Sequence, residues 1–427
     1  PPFSQWEVRL VGPSSSKSMS DRKVALPDFS GEAAEIRDEL VSLRRAIHLE
    51  PEIGLDNPQT QAKILDALEG LPLEITLGRG LSSVTAVLRG GKPGPTVLLR
   101  GDTDGLPMHE QTGLFFASTG DTMHACGHDL HTAGLVGAAK LLSAHQDDLP
   151  GNVVFMFQPG EEGKGGAQIM LDEGVLDASG ERAIAAYAIH VGPGPRGVFA
   201  TKNGCATAGS NQMYVTIRGR GGHGSSPHLA LDPVPVAAQV ILAIQSYVTR
   251  MMNAFDPVVV SVTQISTGEN AVNVIPDAVT LGATIRTLTA QSLAQVREGL
   301  EQVVRSTAAA YGCDADYEFL VLYPSTINDD LTTEDAVVDM RSQFGDERVA
   351  IIPSPMMGSE DFAFVLQEVP GTFVGLFTTP PELAGYPTEF NHSPRVIFDD
   401  AVLGDQAAAL AAMAYGRLQR AAQDTAE

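Results

Sequence analysis

Residues 121 to 131, DTMHACGHDLH, place three histidines, one cysteine and two aspartates in eleven positions. Side chains of these types can ligate a metal ion, pair a thiol nucleophile with an imidazole base, or simply make a polar loop. Cys126 and His128 are two apart, so in a locally extended loop both side chains point the same way and can share one ion. His124, Asp129 and His131 add imidazole and carboxylate groups of the kind that orient metal ligands from behind. The competing chemistry makes Cys126 a nucleophile with His128 or His131 as its base. The spacing leaves all three readings open.

A second concentration is QPGEEGKGG at 158 to 166, where two adjacent carboxylates precede a glycine-rich turn. Side chains of consecutive residues diverge, so Glu161 and Glu162 can divide labour, one on a cation and one carrying a proton. A solvated acidic turn is the plain alternative. His190 ends the apolar run AAYAIHV, where a histidine is most simply a core residue, and His392 sits in the proline-bounded loop EFNHSPR. Neither histidine argues for chemistry alone.

The elements that position these residues read as an α/β arrangement. Apolar runs SSVTAVLRG, GPTVLLRGD, GNVVFMFQPGEE and AIAAYAIHVG alternate with helix-like stretches such as HTAGLVGAAKLLSAH. Near-continuous apolar strands between helices predict a mixed, largely parallel sheet covered on both faces. Asp102, Glu161, Glu162 and His190 all fall at or just beyond the ends of such runs, where sheets of this class bind ligands. Ile36, Leu40, Leu43 and Ile47 recur at helical spacing, predicting a helix near the start. From about 203 the order changes to β-α-β-β-α-β, a ferredoxin-like α+β unit. The predicted organisation is a flexible lead over 1–30, with Met19 a candidate native start, a catalytic domain over 31–202 and 325–427, and an inserted domain over 203–324.

Composition excludes several roles. With 427 residues and 43% hydrophobic content the chain can bury two cores. It has 52 acidic against 28 basic side chains, a formal charge of -24 that repels phosphate backbones and anionic lipid, so neither nucleic acid nor a membrane is an expected partner. No apolar run is long enough to span a bilayer. Three scattered cysteines make no disulfide framework, which fits a reducing cytoplasm.

The strings RGDTDGLPM, MHACGHDLHTA, QPGEEGKGGAQIMLDEGVL, GRGGHGSSPH with DPV, NVIPD, IRT, GSEDF and NHSP, in this order, resemble the M20 peptidase family. They resemble most its amidohydrolase branch, which includes hippurate hydrolases, N-acyl-amino-acid amidohydrolases and plant auxin-conjugate hydrolases. The resemblance runs from about residue 36 to 415. RGDTDGLPM departs from the branch's usual RADMDALPM but keeps both aspartates.

The resemblance implies two divalent ions per subunit, Mn2+ or Zn2+, with Cys126, His128, Glu162, His190 and His392 as ligands and Cys126 bridging. It implies Glu161 as general base, Asp104 as a carboxylate orienting a ligand histidine, and Asp102 in a supporting role. It assigns His223 to the oxyanion, delivered from the inserted dimerisation and lid domain of a neighbouring subunit in a homodimer, and Asn273 and Arg286 to substrate. A guanidinium grips a carboxylate with two parallel hydrogen bonds, so Arg286 fits an N-acyl amino acid substrate. Two other expectations stand beside this one: a Cys126 thiol-nucleophile amidase, and a catalytically idle metal- or peptide-binding protein, which would need ligands but no Glu161.

Overall fold

The computed structural model describes residues 23–268, 271–386 and 389–426. The chain forms two compact units: one runs to Ala206 and resumes over Ile327–Ser354 and Asp361–Glu427, and the other holds Thr207–Thr326 with Pro355–Glu360. Residues 1–22 of the expected lead, Met19 among them, lie outside the described residues.

In the first unit the strands are β1 (Leu73–Leu77), β2 (Val84–Arg89), β3 (Lys92–Asp102), β4 (Pro150–Gln158), β5 (Ala183–Pro195), β6 (Phe199–Thr201), β7 (Val349–Ile351) and β8 (Gly371–Thr379). They form one eight-stranded sheet in the order β1-β2-β4-β3-β5-β8-β6-β7. The central pairs β4/β3, β3/β5 and β5/β8 are parallel, whereas β1/β2, β2/β4 and β8/β6 are antiparallel. The sheet is therefore mixed, with a parallel centre.

Both faces are covered, which is why the central strands are apolar along their whole length. Helices α1 (Phe29–His48), α2 (Pro58–Leu68), α3 (His128–Ala144) and α5 (Leu403–Ala426) contribute to a core containing Leu40, Leu99, Phe155, Tyr187 and Ala407–Met413. A second core, including Leu98, Val154, Met156, Ala186 and Phe362, covers the other face under α4 (Gly166–Asp172). Small residues let α3 and α5 approach closely: a Cβ at Gly137 would lie 2.6 Å from the Ala407 methyl. Helix α1 starts inside the expected lead, because Asp28 caps it by accepting the Gly31 N–H at 3.0 Å and Phe29 is fully buried. Leu40 and Ile47 are buried while Ile36 and Leu43 pack against the same core, so the helical spacing describes one buried face.

In the second unit, strands Val259–Ser266, Ala278–Thr287, Gly209–Arg218 and Asp314–Tyr323 lie in that order, every neighbouring pair antiparallel. Helices Pro233–Met251 and Ala290–Ala310 supply Val236, Val240, Ile244, Val296, Leu300 and Val304 to a core with Met213, Val215, Ile217 and Leu281. The chain order β-α-β-β-α-β is the ferredoxin-like arrangement. Among the described residues no helix is long and apolar enough to cross a membrane.

Candidate metal and catalytic site

The site of the first unit lies at the carboxyl ends of parallel strands. Asp102 is the last residue of β3, Asp104 follows it, and Glu161 and Glu162 come just after the end of β4. His190 differs from expectation: it lies inside β5, which continues to Pro195, in register with Gly375 of β8.

The expected extended loop between Cys126 and His128 is also replaced. Gly127 adopts φ 86, and His128 is already the first residue of α3. Glycine meets this demand without the usual steric cost. A side chain would be excluded twice over, since a Cβ at Gly127 would also fall 2.2 Å from Val191 Cγ2. His392 reaches the site on another unusual backbone, φ 70, pinned by its N–H donating to Ala125 O at 2.9 Å. Residues other than glycine seldom hold this conformation unless the surroundings enforce it, and such residues cluster at functional sites.

Among the described residues the groups of potential donors whose ligand atoms lie within 4.8 Å of one another include Cys126, His128 and His190; Cys126, Glu162 and His392; and His128, Glu161 and Glu162, with Asp102 and His131 close to His128 in a further one. Cys126 Sγ lies 3.4 Å from His190 Nε2, and His392 Nε2 lies 3.1 Å from Glu162 Oε1. His190 Nδ1–H donates to Val191 O at 2.8 Å, which leaves its Nε2 facing the sulfur. Both ring nitrogens of His128 and the Glu162 Oε1 are buried and make no hydrogen bond of good geometry, only approaches of 3.1–3.5 Å to Asp104, Asp102 and His392. Orphaned buried donors and acceptors of this kind are costly unless something binds them, and thiolate, imidazole and carboxylate are the donor set that zinc and manganese accept. The residues fit a divalent cation.

The electrostatics agree. Burial pushes the Cys126 thiol up, but His190 beside it and hydrogen bonds from His128 and His190 outweigh burial and hold it well below its usual range. Hydrogen bonds to Cys126 and Glu162 raise His392 to about 10. Burial raises Glu162.

The supporting carboxylates hold the ligand-bearing segments. Asp104 accepts the backbone N–H of Glu161 at 3.0 Å and of Glu162 at 3.1 Å, and its Oδ1 lies 3.4 Å from His128 Nδ1. Asp102 pairs with Arg100 Nη1 at 2.7 Å, accepts from His131 Nδ1 and lies 3.5 Å from His128 Nε2. His131 Nε2 accepts the Val191 N–H at 2.8 Å. Both His131 nitrogens are therefore engaged in building the site, and burial lowers its pKa to about 4.

His124 and Asp129 do not join the donor groups. Asp129 pairs with Arg44 at 2.6 Å and His48 at 2.8 Å, and the His124 ring sits 6.2 Å from that of His48, its pKa lowered to about 3 by burial. Their type suggested ligand support, but Asp129 pairs with α1 and His124 lies beside it. Sequence reasoning also missed the buried network in which Arg100 Nε donates to Gln158 Oε1 at 2.8 Å and Nη2 to Asp361 Oδ1 at 2.9 Å. A signal existed in GSEDF, which contains Asp361.

The remaining expected residues are carried by the second unit. His223 is exposed, and its Nδ1 accepts from Ser225 N–H at 3.1 Å and Ser225 Oγ–H at 2.8 Å, which places the ring proton on Nε2. Asn273 accepts the Gly224 N–H through its backbone oxygen at 2.8 Å, next to His223. Arg286 is half-buried, donates to Ser210 Oγ and has no ion-pair partner among the described residues.

A profile of Peptidase family M20/M25/M40 matches residues 98–415, and the chain belongs to that family, in its amidohydrolase branch. It is 35% identical over 382 residues to thermostable carboxypeptidase 1 of Saccharolobus solfataricus, covering 88% of this chain and 94% of that one. It is 36% identical over 367 residues to N-acetylcysteine deacetylase of Bacillus subtilis, covering 85% and 93%. The crystal structure of a dinuclear metal-binding M20 peptidase of Bacillus subtilis superposes with TM-score 0.78 at 32% identity, covering 90% of this chain and 99% of that one.

Proposed function

We propose that this chain hydrolyses the amide bond of an N-acyl amino acid or related conjugate, releasing a carboxylic acid and a free amino acid. The observation that carries the reading is that Cys126 is common to two donor triads, Cys126/His128/His190 and Cys126/Glu162/His392, while Glu161 shares the third group with His128 and Glu162. Two sets of donors meeting at one sulfur suit two divalent ions, Mn2+ or Zn2+, held by Cys126, His128, Glu162, His190 and His392. Such ions polarise an amide carbonyl and acidify water. The relatives support this class: a carboxypeptidase and an N-acetylcysteine deacetylase both act, by their names, on an amide whose nitrogen belongs to an amino acid.

In this reading Glu161 takes the proton of the attacking water and delivers it to the leaving nitrogen. Asp104 fixes the peptide that carries Glu161 and Glu162. His223, with its proton on Nε2, donates to the developing oxyanion from a neighbouring subunit of a homodimer. Arg286 and Asn273 grip the α-carboxylate, and an unpaired guanidinium is free to do so. Three free thiols support a reducing, cytoplasmic setting.

One observation favours a second reading: the depressed Cys126 thiol is also what a nucleophile needs. Chelator-stripped protein is incubated with N-acyl amino acids, then again after Mn2+ or Zn2+ is restored, and released amine is measured. Turnover only in the restored protein supports the metal reading. Full turnover in the stripped protein makes Cys126 the nucleophile, and metal binding without turnover on any N-acyl amino acid leaves a binding protein.

A further inference from the structure

Every side chain that hydrogen-bonds the Cys126 sulfur through a histidine nitrogen is also a proposed ligand: His128, His190 and His392. A cation draws those nitrogens to itself. One further donor has a different character. Asn391 Nδ2 lies 3.7 Å from Cys126 Sγ, 3.2 Å from Cys126 O and 3.1 Å from Val191 O. An amide nitrogen has no lone pair to give a metal and does not ionise, so it remains a donor whether or not a cation is present.

The contacts of Asn391 reach two segments that carry proposed ligands, those of Cys126 and His190. Val191 O also accepts His190 Nδ1–H at 2.8 Å, so the same carbonyl that fixes the His190 ring is itself fixed by Asn391. The neighbouring residue, His392, is tied by its N–H to Ala125 O at 2.9 Å and holds φ 70. Two consecutive residues thus stitch the 389–396 loop to the turn carrying Cys126, and the amide of the first faces the sulfur.

We propose that Asn391 is a positioning residue of the metal site, orienting Cys126 and His190 through its side-chain amide and donating to the Cys126 sulfur, which both donor triads share. This rests on the ligand set given under the proposed function. A ligand's hydrogen-bonded partner orients it and tunes its donor strength, and losing one costs about 10–100-fold in metal affinity or activity. A purely packing role predicts instead that a residue of the same shape is tolerated.

Asn391→Asp and Asn391→Ala separate the two. Aspartate keeps the shape but turns the donor into an acceptor facing a thiolate and two carbonyl oxygens. Metal-free wild type and both variants are titrated with Co2+, following chelator competition and the sulfur-to-cobalt charge-transfer absorption, with thermal melting as the check on folding. The expected result is Co2+ binding about 10–100-fold weaker in both variants, with aspartate at least as impaired as alanine, and a displaced charge-transfer band. Affinity within about twofold of wild type and an unmoved band for the aspartate variant overturn the proposal. If neither variant folds, the wild type decides: the Asn391 side-chain amide protons should be protected from solvent exchange in the Zn2+-loaded protein, and exchange at the free-solvent rate overturns the role. A wild type that binds Co2+ without any sulfur band overturns the ligand set itself, which is distinguishable from a band that is present and insensitive to Asn391.

Discussion

Asp104 Oδ1 accepts the backbone N–H of Glu161 at 3.0 Å. Its other oxygen accepts the next N–H, that of Glu162, at 3.1 Å, so one carboxylate just beyond β3 sets the peptide that carries two acidic side chains. Both reach toward His128, and Glu162 also toward Cys126 and His392. Asp104→Asn would set an amide NH2 against one of those N–H donors. Metal affinity or turnover should fall about 10–100-fold, the usual effect of removing support behind a ligand. Metal titration and steady-state kinetics check this, and an asparagine variant indistinguishable from wild type contradicts it.

Metal binding should tighten as pH rises. His392, held up to about 10 by hydrogen bonds to Cys126 and Glu162, carries a proton in the metal-free protein throughout the neutral range, and Glu162 is raised by burial. A cation must displace the His392 proton, so affinity should increase about tenfold per pH unit for each proton released, between about pH 6 and 8. Calorimetry in buffers of different ionisation heat should show proton release on metal uptake. A dissociation constant independent of pH contradicts this arrangement.

Mixing should expose shared sites. If His223 acts across a symmetric dimer contact, a heterodimer of Glu161→Gln and His223→Ala subunits contains one site with both groups intact. Each parent should be low, the His223→Ala form by roughly 10²–10³, and the mixture should recover part of the activity. No recovery in a proven heterodimer places His223 outside a shared site.

Arg286 should read the substrate carboxylate. It is half-buried with only Ser210 Oγ as side-chain partner among the described residues, and burial lowers its pKa, which is a cost that an anion would offset. Arg286→Ala should reduce kcat/KM for an N-acyl amino acid by at least about tenfold more than for its carboxyl ester, since charge-assisted pairs are the strong ones. Equal losses on both substrates contradict the assignment.

Much of the sheet was legible because each central strand is a continuous apolar run whose end is marked by a polar residue: Asp102 after VLLRG, Glu161 and Glu162 after VVFMFQPG. The second unit's β-α-β-β-α-β order was legible for the same reason. The candidate site residues stand out only through whole motifs, since His190 inside β5 and His392 in its loop look like structural histidines taken singly. What stayed hidden depends on backbone geometry or distant pairing. The left-handed turn at Gly127 replaces an extended loop, and no local pattern predicts that Asp129 answers Arg44 and His48 in α1. Asn391 was hidden because its amide acts on residues 200 and 265 positions away.

The most direct measurement is the metal content and turnover of Glu161→Gln. The amide keeps the shape and the neighbouring ligands, but it cannot accept a proton from water. The variant should bind two metal equivalents, melt like wild type, and lose about 10²–10⁴ in kcat on an N-acyl amino acid. A fully metallated variant that retains more than about a tenth of wild-type kcat, far above what loss of a general base leaves, would show that Glu161 is not the base.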